Sequence, residues 1–469
     1  MPKLPGIIAA SMLAACAVGP NYQRPATPVE GHFVNATEPG FAEDAAVEQY
    51  WTRFADPVLD SLVEDAVAHN TDLRAAAANL QASRAVQRLA GFDLFPTATL
   101  KGGYTHNLYS QQQLPGVDAR DREFDSAQGA FEGLWELDLF GRVRRNVEAA
   151  RADVGVSVAN LKDARVSIIA EVARNYVVLR GLQDQLALTH RNADNQLNSL
   201  KLTQVRLDAG RGNQLDTARA EAQWQTTLAS IPTLQASIAT TTYRLSVLTG
   251  RQPAALGDRL APQPLPELPA LNSIGTPEQL LRRRPDIRAA ERRLAGATAR
   301  VGVAVGDLFP KVTLNGSFGY VAPTFGEFGS SDAKSYSVGP GISWAAFDLG
   351  RVRARIGSAR AQTDAALAAY EGAVLNALET TEDALIGYGR SQARRDALKL
   401  AAAASDKAAD LARQRFEGGL IDFLEVLDAE RTALSAELLL SQSRTDAATS
   451  LVAGYKALGA GWDSRSSSE

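Results

Sequence analysis

The sequence predicts a mainly α-helical fold that carries a transmembrane β-barrel, to which each chain contributes four strands. Three observations predict this fold class: an internal two-fold repeat, four segments in which apolar and polar residues alternate, and helical segments too long for an ordinary domain. The repeat is plainest where "DLFPTATL" at 93–100 returns as "DLFPKVTL" at 307–314. The chain of 469 residues is therefore predicted to consist of two copies of one unit.

The repeat extends far beyond these eight residues. "NTDLRAAAANL" from Asn70 matches "RPDIRAAERRL" from Arg284, and "RLDAGRGNQLDTARAEA" from Arg206 matches "RFEGGLIDFLEVLDAER" from Arg415. The proline-rich "PQPLPELP" at 262–269 is predicted to be an extended linker between the copies. The predicted organisation is a signal peptide at 1–15, a lipidated N-terminal segment at 16–57, the first repeat at 58–250, a linker at 251–275, the second repeat at 276–459 and a tail at 460–469.

The N-terminus is typical of a bacterial lipoprotein. Lys3 precedes an apolar run at 4–15, and Cys16, the only cysteine of the chain, directly follows the small residues "LAA". We expect cleavage before Cys16 and a covalent lipid on it, and a chance buried thiol is the alternative. No later segment has the ~18 uninterrupted apolar residues that a spanning helix needs, so we expect the chain to cross a membrane only as strands.

Composition argues against several other functions. The formal net charge is −4 with both signs interspersed, which offers no basic surface for nucleic acid. The four histidines, at 32, 69, 106 and 190, share no helical spacing, so no metal site is expected. The sequence contains no Gly-rich phosphate loop, no G-x-S-x-G and no Cys-x-x-Cys. We therefore predict that the protein is not an enzyme and that it needs no cofactor beyond the lipid.

Each repeat contains two segments with the two-residue period of a β-strand. Strands are predicted at about 97–109 and 124–139 in the first repeat, and at about 311–321 and 335–347 in the second. The apolar faces carry glycine and aromatic residues more than leucine and isoleucine, which favours contact with lipid over a soluble sheet with one packed face. The aromatic residues predicted to face lipid are Tyr104, Phe131, Trp135, Phe318, Tyr320 and Trp344.

Four strands are too few to close a barrel, and lipid does not tolerate open sheet edges because their backbone groups would stay unpaired. Several chains are therefore expected to pool their strands. Two chains would enclose an interior filled by side chains, whereas three chains give twelve strands and begin to leave a channel. Because the second face of each strand is polar, we expect the trimer.

After each strand pair the chain is predicted to be helical over a long distance. The segment 142–209 lacks proline, and a returning helix at 213–250 is interrupted only by Pro232. In the second repeat the corresponding helices are predicted at 351–418 and 422–458. At 1.5 Å per residue the first could extend roughly 100 Å, as one rod or as two stacked helices. Such helices would continue the barrel as a hollow tunnel.

Several motifs together match one known family. They are "CAVGPNYQRP" from Cys16, "RPDIRAAERRL" from Arg284, "FDLGRVRARI" from Phe347, "RFEGGLIDFLEVLDAERTAL" from Arg415 and "YKALGAGW" from Tyr455. In wording and order they resemble the TolC-like outer membrane factors, specifically the OprM/NodT-like lipoprotein branch that serves resistance-nodulation-division (RND) pumps. This resemblance covers nearly the whole chain. It implies a homotrimer with a 12-stranded barrel in the bacterial outer membrane, a periplasmic helical tunnel, and docking to a periplasmic adaptor and an inner-membrane RND-type pump that supplies the energy.

By resemblance, the returning helix of the second repeat carries acids that constrict the periplasmic entrance. In "LEVLD" at 424–428 these are Glu425 and Asp428, and their spacing of three places both on one helical face. Three copies of each would form two acidic rings that attract cations. The family often has aspartate where Glu425 stands. Asp422 is a further candidate for this gate, but "DFLE" from Asp422 also has the pattern of a helix N-cap, as does "NQLD" from Asn213, and we favour capping for Asp422.

The function predicted from this resemblance is an exit duct that passively conducts drugs or other small molecules out of the cell. A type I secretion duct or a heavy-metal efflux duct would have the same architecture. An alternative of a different class is a lipid-anchored periplasmic coiled-coil scaffold without a pore. The motifs do not identify the exported compounds, the cognate adaptor or the pump.

Overall fold

A computed structural model describes residues 17–37, 41–42, 44 and 47–461. The predicted signal peptide, the predicted lipidation site Cys16 and most of the predicted tail therefore lie outside the described residues. Within the described part, the contacts divide the chain into two compact units. Unit 1 takes residues 17–26, 79–158 and 288–371, and unit 2 takes residues 27–78, 159–287 and 372–461, apart from those not described.

The two repeats have the same order of elements: two short helices, two strands and two long helices. In the first repeat these are α1 (Pro57–His69), α2 (Thr71–Phe92), β1 (Thr97–Leu108), β2 (Glu123–Leu137), α3 (Arg142–Asp208) and α4 (Gln214–Leu248). In the second they are α5 (Pro277–Arg283), α6 (Pro285–Gly306), β3 (Lys311–Ala322), β4 (Lys334–Ser343), α7 (Leu349–Glu417) and α8 (Phe423–Ala457). Among the described helices, none has an apolar stretch long enough to cross a membrane.

Unit 1 contains one four-stranded sheet with the order β1-β2-β3-β4, in which all neighbours are antiparallel. The central pair, β2 with β3, joins the two repeats. β4 ends at Ser343, so Trp344 follows the strand and does not belong to it, contrary to the predicted extent of 335–347. Pro340 lies in β4. Because proline has no backbone N–H to donate, it is tolerated in a strand mainly at the edge of a sheet, which is where β4 lies.

Local side-chain contacts explain where the short helices begin. The Asp56 carboxylate accepts hydrogen bonds from the backbone N–H groups of Val58 and Leu59, and it caps α1. Asn70 separates α1 from α2, and its Oδ1 accepts from the backbone N–H groups of Asp72 and Leu73. Its Nδ2 also donates to the Leu248 carbonyl at 2.9 Å, which ties the end of α4 to this corner.

The long helices are single continuous elements. α3 has 67 residues and α7 has 69, which excludes the predicted alternative of two stacked helices. α4 continues through Pro232, whose fixed φ is compatible with a helix although its ring removes one backbone hydrogen bond. α3 and α7 end in the same way: Gly210 and Gly419 have φ values of 68° and 73°, a left-handed conformation that closes a helix at low cost.

A polar network inside unit 2 holds the linker against α3. The hydroxyl of Tyr176 donates a short hydrogen bond to Asp56, and the guanidinium of Arg180 lies 4.8 Å from the centre of the Tyr176 ring. Arg180 is fully buried and donates to the Ala261 carbonyl at 2.6 Å, while Gln183 donates to the Leu260 carbonyl at 2.8 Å. Buried polar groups are stabilising only when they are paired, so this network specifies the path of the linker.

Asn70→Ala should lower the thermal stability of the protein, because it removes two capping hydrogen bonds and leaves the Leu248 carbonyl without its donor. The expected loss is about 1–3 kcal/mol in the free energy of unfolding, which a lower melting temperature in circular dichroism would report. Gln81→Ala, at an exposed position of α2, is the control and should melt like the unchanged protein. If the two variants melt at the same temperature, the interpretation that Asn70 stabilises the junction of α1, α2 and the end of α4 is wrong.

Candidate functional site

The sheet of unit 1 has one apolar and one polar face. Leu100, Phe131, Phe318 and Tyr336 form one cross-strand row, since the register pairs Leu100 with Phe131, Phe131 with Phe318, and Phe318 with Tyr336. All four side chains are exposed. An exposed apolar row of this extent indicates a surface that contacts lipid or another protein.

The opposite face of the sheet carries polar and charged groups. The Lys101 ammonium lies 2.6 Å from the Glu132 carboxylate, and the hydroxyls of Ser317 and Ser337 form a hydrogen bond of 2.9 Å. These side chains alternate along the strands with the apolar row, as the period of a strand requires. The two faces are therefore suited to different surroundings, one apolar and one aqueous.

The six aromatic residues predicted to face lipid occupy two kinds of position. Five lie within strands on the apolar side of the alternation: Tyr104, Phe131, Trp135, Phe318 and Tyr320. Trp344 follows the end of β4, but it is half exposed and its indole N–H donates to the Leu308 carbonyl at 3.0 Å. Trp135 does the same to the Leu94 carbonyl, also at 3.0 Å.

Both indole contacts go to a copy of the repeated "DLFP" motif. Leu94 and Leu308 are the second residues of the two copies, and each lies in the turn between a short helix and the strand that follows. A tryptophan that hydrogen-bonds at its N–H and exposes its ring suits a boundary between apolar and polar surroundings. The duplicated motif thus supplies one carbonyl acceptor at each helix-to-strand turn.

Sequence reasoning missed an aromatic group in the β3–β4 hairpin. Phe325 and Phe328 stack with ring centres 6.1 Å apart, and Phe328 lies 5.8 Å from the Tyr320 ring. Phe328 packs on Gly129, where an added Cβ would lie 2.8 Å from the ring. The signal that could have identified the group is the spacing of three aromatic residues in "GYVAPTFGEF".

The described chain begins beside the sheet, held by an arginine clamp that sequence reasoning also missed. Arg145 is buried, and its guanidinium donates to the carbonyl of Val18 at 3.1 Å and to Oδ1 of Asn21 at 2.7 Å. The Val18 N–H donates to the Phe140 carbonyl at 3.0 Å. Ala17 packs against Gly141, where a Cβ would approach it to 2.6 Å. Residue 17 therefore lies where β2 gives way to α3.

A second set of contacts continues this clamp along α6. The Tyr22 hydroxyl donates to Glu291 at 3.4 Å, and the Arg292 guanidinium lies 5.7 Å from the Tyr22 ring centre. Burial, together with the neighbouring Glu291 carboxylate, raises the pKa of Tyr22 to about 12. Arg24 approaches Glu291 to 3.8 Å. The N-terminal segment is thus bound at several points and is not a loose tail.

The three acids predicted at the gate lie together at the start of α8. Asp422, Glu425 and Asp428 are exposed, whereas Phe423 and Val426 between them are buried. Asp422 occupies the N-cap position of α8 as predicted, but its side chain makes no capping hydrogen bond, so the prediction of a side-chain cap is wrong.

The corresponding residue of the first repeat behaves differently. The Asn213 side-chain oxygen accepts from the backbone N–H of Asp216 at 2.9 Å, so Asn213 caps α4 as predicted. The residue that corresponds to Asp428 in the first repeat is Arg219. The second repeat alone therefore presents three acids and no cation along this face.

A small apolar cluster holds the acidic start of α8. Phe423, Val426 and Leu427 pack with Phe416 and Ala220. The Arg206 guanidinium lies 4.0 Å from the Phe416 ring centre and donates to the Phe416 carbonyl. This arrangement fixes the opposite side of the helix, so the acids point away from the packed cluster. The described residues contain no group of three His, Cys, Asp or Glu side chains that could hold a metal ion.

Comparison with known proteins identifies the family. Residues 62–251 and 276–460 each match the profile of the outer membrane efflux protein family. Nodulation protein T of Rhizobium leguminosarum bv. trifolii is 30% identical over 458 residues, which cover 96% of each chain. Outer membrane protein OprJ of Pseudomonas aeruginosa is 32% identical over 463 residues, which cover 97% of this chain and 95% of OprJ.

A solved structure of the outer-membrane channel OprN agrees in fold. It superposes with a TM-score of 0.90 at 43% sequence identity, and the match covers 95% of this chain and 100% of that one. The two family matches coincide with the two sets of helices and strands, so the internal repeat and the family relationship describe the same architecture.

Proposed function

The chain belongs to the outer membrane efflux protein family, and from this premise we propose that three copies form the exit duct of a tripartite efflux system. The duct passively conducts drugs or other small molecules from a periplasmic adaptor and an inner-membrane RND-type pump to the outside. The sheets of three chains make the barrel, and α3, α4, α7 and α8 make the periplasmic tunnel.

The observation that carries this proposal is the two-faced sheet with its unpaired edges. β1 and β4 each have a single neighbour in the sheet. Lipid requires those edges to be paired, and the edges of further copies can pair with them. Closure then turns the row of Leu100, Phe131, Phe318 and Tyr336 toward lipid, and the face of Lys101 and Ser317 toward a wet lumen.

The proposed duct carries out no chemistry, because conduction requires a path and not a reactive group. A type I secretion duct and a heavy-metal duct remain alternatives with the same architecture. Relatives that include the antibiotic efflux pump outer membrane protein ArpC and the toluene efflux pump outer membrane protein TtgC of Pseudomonas putida, 31% and 30% identical, favour small-molecule efflux. A lipid-anchored scaffold without a pore is disfavoured because it gives no reason for an exposed apolar face on a sheet.

Phe318→Arg and Ser317→Arg form a matched test of the sheet faces, since the two residues are neighbours on β3 that point to opposite sides. Arginine at 318 should block trimer assembly, because a charge on the lipid side costs up to about 2–4 kcal/mol near the midplane. Arginine at 317 should assemble, because it enters water. Heat-resistant trimers in outer-membrane extracts report the outcome, and equal assembly of both variants would reject the face assignment.

We also infer that Cys16 is lipidated and anchors the chain. The arginine clamp supports this, because it holds residue 17 next to Gly141, where a sheet strand ends. A lipid on the preceding residue would start beside the rim of the barrel and could enter the membrane directly. The anchor would then position the segment that Arg145 and Glu291 bind.

Cys16→Ser should abolish metabolic labelling with palmitate, while Ser11→Ala in the leader should keep it. Export activity of the Cys16 variant should fall only in part, because the barrel itself remains in the membrane. If the protein with Cys16 intact is not labelled with palmitate, the inference of a lipid anchor is wrong.

We further propose that Glu425 and Asp428, with a contribution from Asp422, form the periplasmic gate. Their common exposed face on α8 supports this, since three copies would bring up to six carboxylates of Glu425 and Asp428 around one axis. Multivalent cations should bind such a constriction and block conduction, and the block should weaken as salt rises.

Glu425→Gln combined with Asp428→Asn should sharply reduce the block by a trivalent cation in bilayer recordings, while trimers still assemble. Asp208→Asn removes an exposed acid at the other helix reversal and serves as the matched control, which should keep the full block. If the double variant is blocked as strongly as the control, these acids are solvated residues at a helix start and not a gate.

A further inference from the structure

Unit 2 contains a polar cavity of about 310 Å³ between α3, α7 and α8. We refer to it as the three-helix cavity. Its walls include Arg191 and Gln196 from α3, Asp406 and Arg413 from α7, and Glu430 and Glu437 from α8. The volume is at the lower end of the range for small-molecule pockets, roughly 300–1,000 Å³. The three-helix cavity is distinct from the exposed acids at the start of α8.

Glu430 is the buried acid of this cavity, with 6% of its surface exposed. Its Oε1 accepts hydrogen bonds from the Ser199 hydroxyl at 2.8 Å and from the Arg413 guanidinium at 3.1 Å. Both of these bonds go to the same oxygen. A ligand that donates a hydrogen bond can therefore reach Oε2 without displacing either partner.

Gln196 also lines the cavity, but its side-chain oxygen is closed to a ligand. This side chain is 96% buried, since its exposed fraction is 4%, and its Oε1 has no hydrogen-bond partner within the described chain. A buried amide oxygen without a donor is rare, because the group loses its hydration and gains nothing in exchange. Because that atom has almost no accessible surface, a molecule in the cavity does not reach it, and the acceptors that face the cavity are carboxylates.

The charge of the lining also favours a donor that is cationic. Four carboxylates line the cavity against two guanidinium groups. Arg191 pairs with Glu437 at 2.6 Å, and Arg413 pairs with Asp410 at 2.8 Å besides its bond to Glu430. Asp406 is exposed and forms no ion pair within the described residues. The acids thus exceed the bases by two, which disfavours an anionic ligand.

The geometry narrows the class of cation. No three His, Cys, Asp or Glu side chains of the described residues converge closely enough to hold a metal ion. The available acceptors are carboxylates that are spread over α7 and α8 instead. A flexible molecule with several N–H donors fits such a spread better than a point charge does.

We propose that the three-helix cavity binds a linear organic polyamine, whose ammonium groups donate to Glu430 and Asp406. The ligand would connect α7 and α8 at the level just after the acids Glu425 and Asp428. The polyamine would slow the opening of the gate at the start of α8, and this effect rests on the proposed function. The binding of the polyamine does not depend on the proposed function.

The protonation of Glu430 gives the binding a pH dependence. Burial raises the pKa of Glu430, and the hydrogen bond from Ser199 and the charge of Arg413 oppose that rise. An ammonium group stabilises the ionised carboxylate, so binding lowers the pKa of Glu430 and expels a proton wherever the free protein is protonated. Affinity should therefore increase as pH rises, until Glu430 is ionised in the free protein as well. The other charged groups that face it are Arg191, Asp406, Asp410, Arg413 and Glu437.

Titration calorimetry of the full-length protein in detergent, with spermidine as the probe, tests the proposal. We expect saturable binding with one site per chain, and no binding of a neutral diol of similar length. Asp406→Asn, at an exposed position that leaves the packing intact, should weaken binding several-fold. Glu430→Gln should weaken it further, to tenfold or more, and should remove its pH dependence.

The gate variant separates this proposal from the proposed function. Glu425→Gln with Asp428→Asn should retain the spermidine site, because those acids do not line the cavity. If spermidine binding is lost in that variant and kept in Asp406→Asn, the amine binds the exposed acids and the cavity proposal is wrong. Absence of saturable binding would also overturn it, and would mean that water alone fills the cavity. Spermidine binding by a protein that forms no channel in bilayers would instead reject the proposed function and leave the cavity proposal standing.

Discussion

Backbone pairing at the edges of the sheet is the constraint on which the rest of the architecture depends. A sheet of four strands leaves the outer sides of β1 and β4 without partners from the chain itself. In hydrocarbon these groups must be paired, and closure with identical copies is the solution open to a β-structure. Once the ring is closed, the alternation of side chains separates a lipid surface at Phe131 and Phe318 from a wet surface at Lys101 and Glu132. In the trimer, the long helices then form the tunnel that continues from the barrel.

The two repeats keep the same type of residue at positions where both copies make the same contact. Trp135 and Trp344 each donate to a carbonyl of a "DLFP" turn, because two helices must pass into two strand pairs. At the helix reversals the copies differ. Asn213 caps α4, whereas Asp422 leaves its carboxylate uncommitted. The contrast shows that the first copy uses this position for helix stability, while the second leaves its acids available for another purpose.

Much of the fold could be predicted from the hydrophobic period of each segment and from the positions of glycine and proline, because the signals for the long helices and for the strand pairs are local. Alternation predicted β1 to β4 and their apolar sides, and glycine and proline predicted the ends of the helices. The failures have physical causes. Trp344 was assigned to β4 because alternation continues past Ser343, although backbone pairing stops there. Capping by Asp422 failed because the residue pattern cannot report a side-chain rotamer. Contacts between residues distant in sequence, such as Arg145 with Asn21 and Glu430 with Ser199, left no periodic trace.

The contacts between α3 and α8 show why the start of α8 can respond to its surroundings. Along this seam Asp184 accepts from Ser441, Glu437 accepts from Arg191, and Glu430 accepts from Ser199. These polar residues are seven and eight positions apart on α3, and four and seven positions apart on α8, where a coiled coil usually places apolar side chains. Polar seams specify register but contribute less burial than leucine would, and the apolar cluster around Phe423 is small. Local opening therefore requires less free energy here than in the large core around Tyr50 and Tyr176. Glu430 lies two residues after Asp428 on α8, so its contacts belong to the same segment of the helix as the proposed gate.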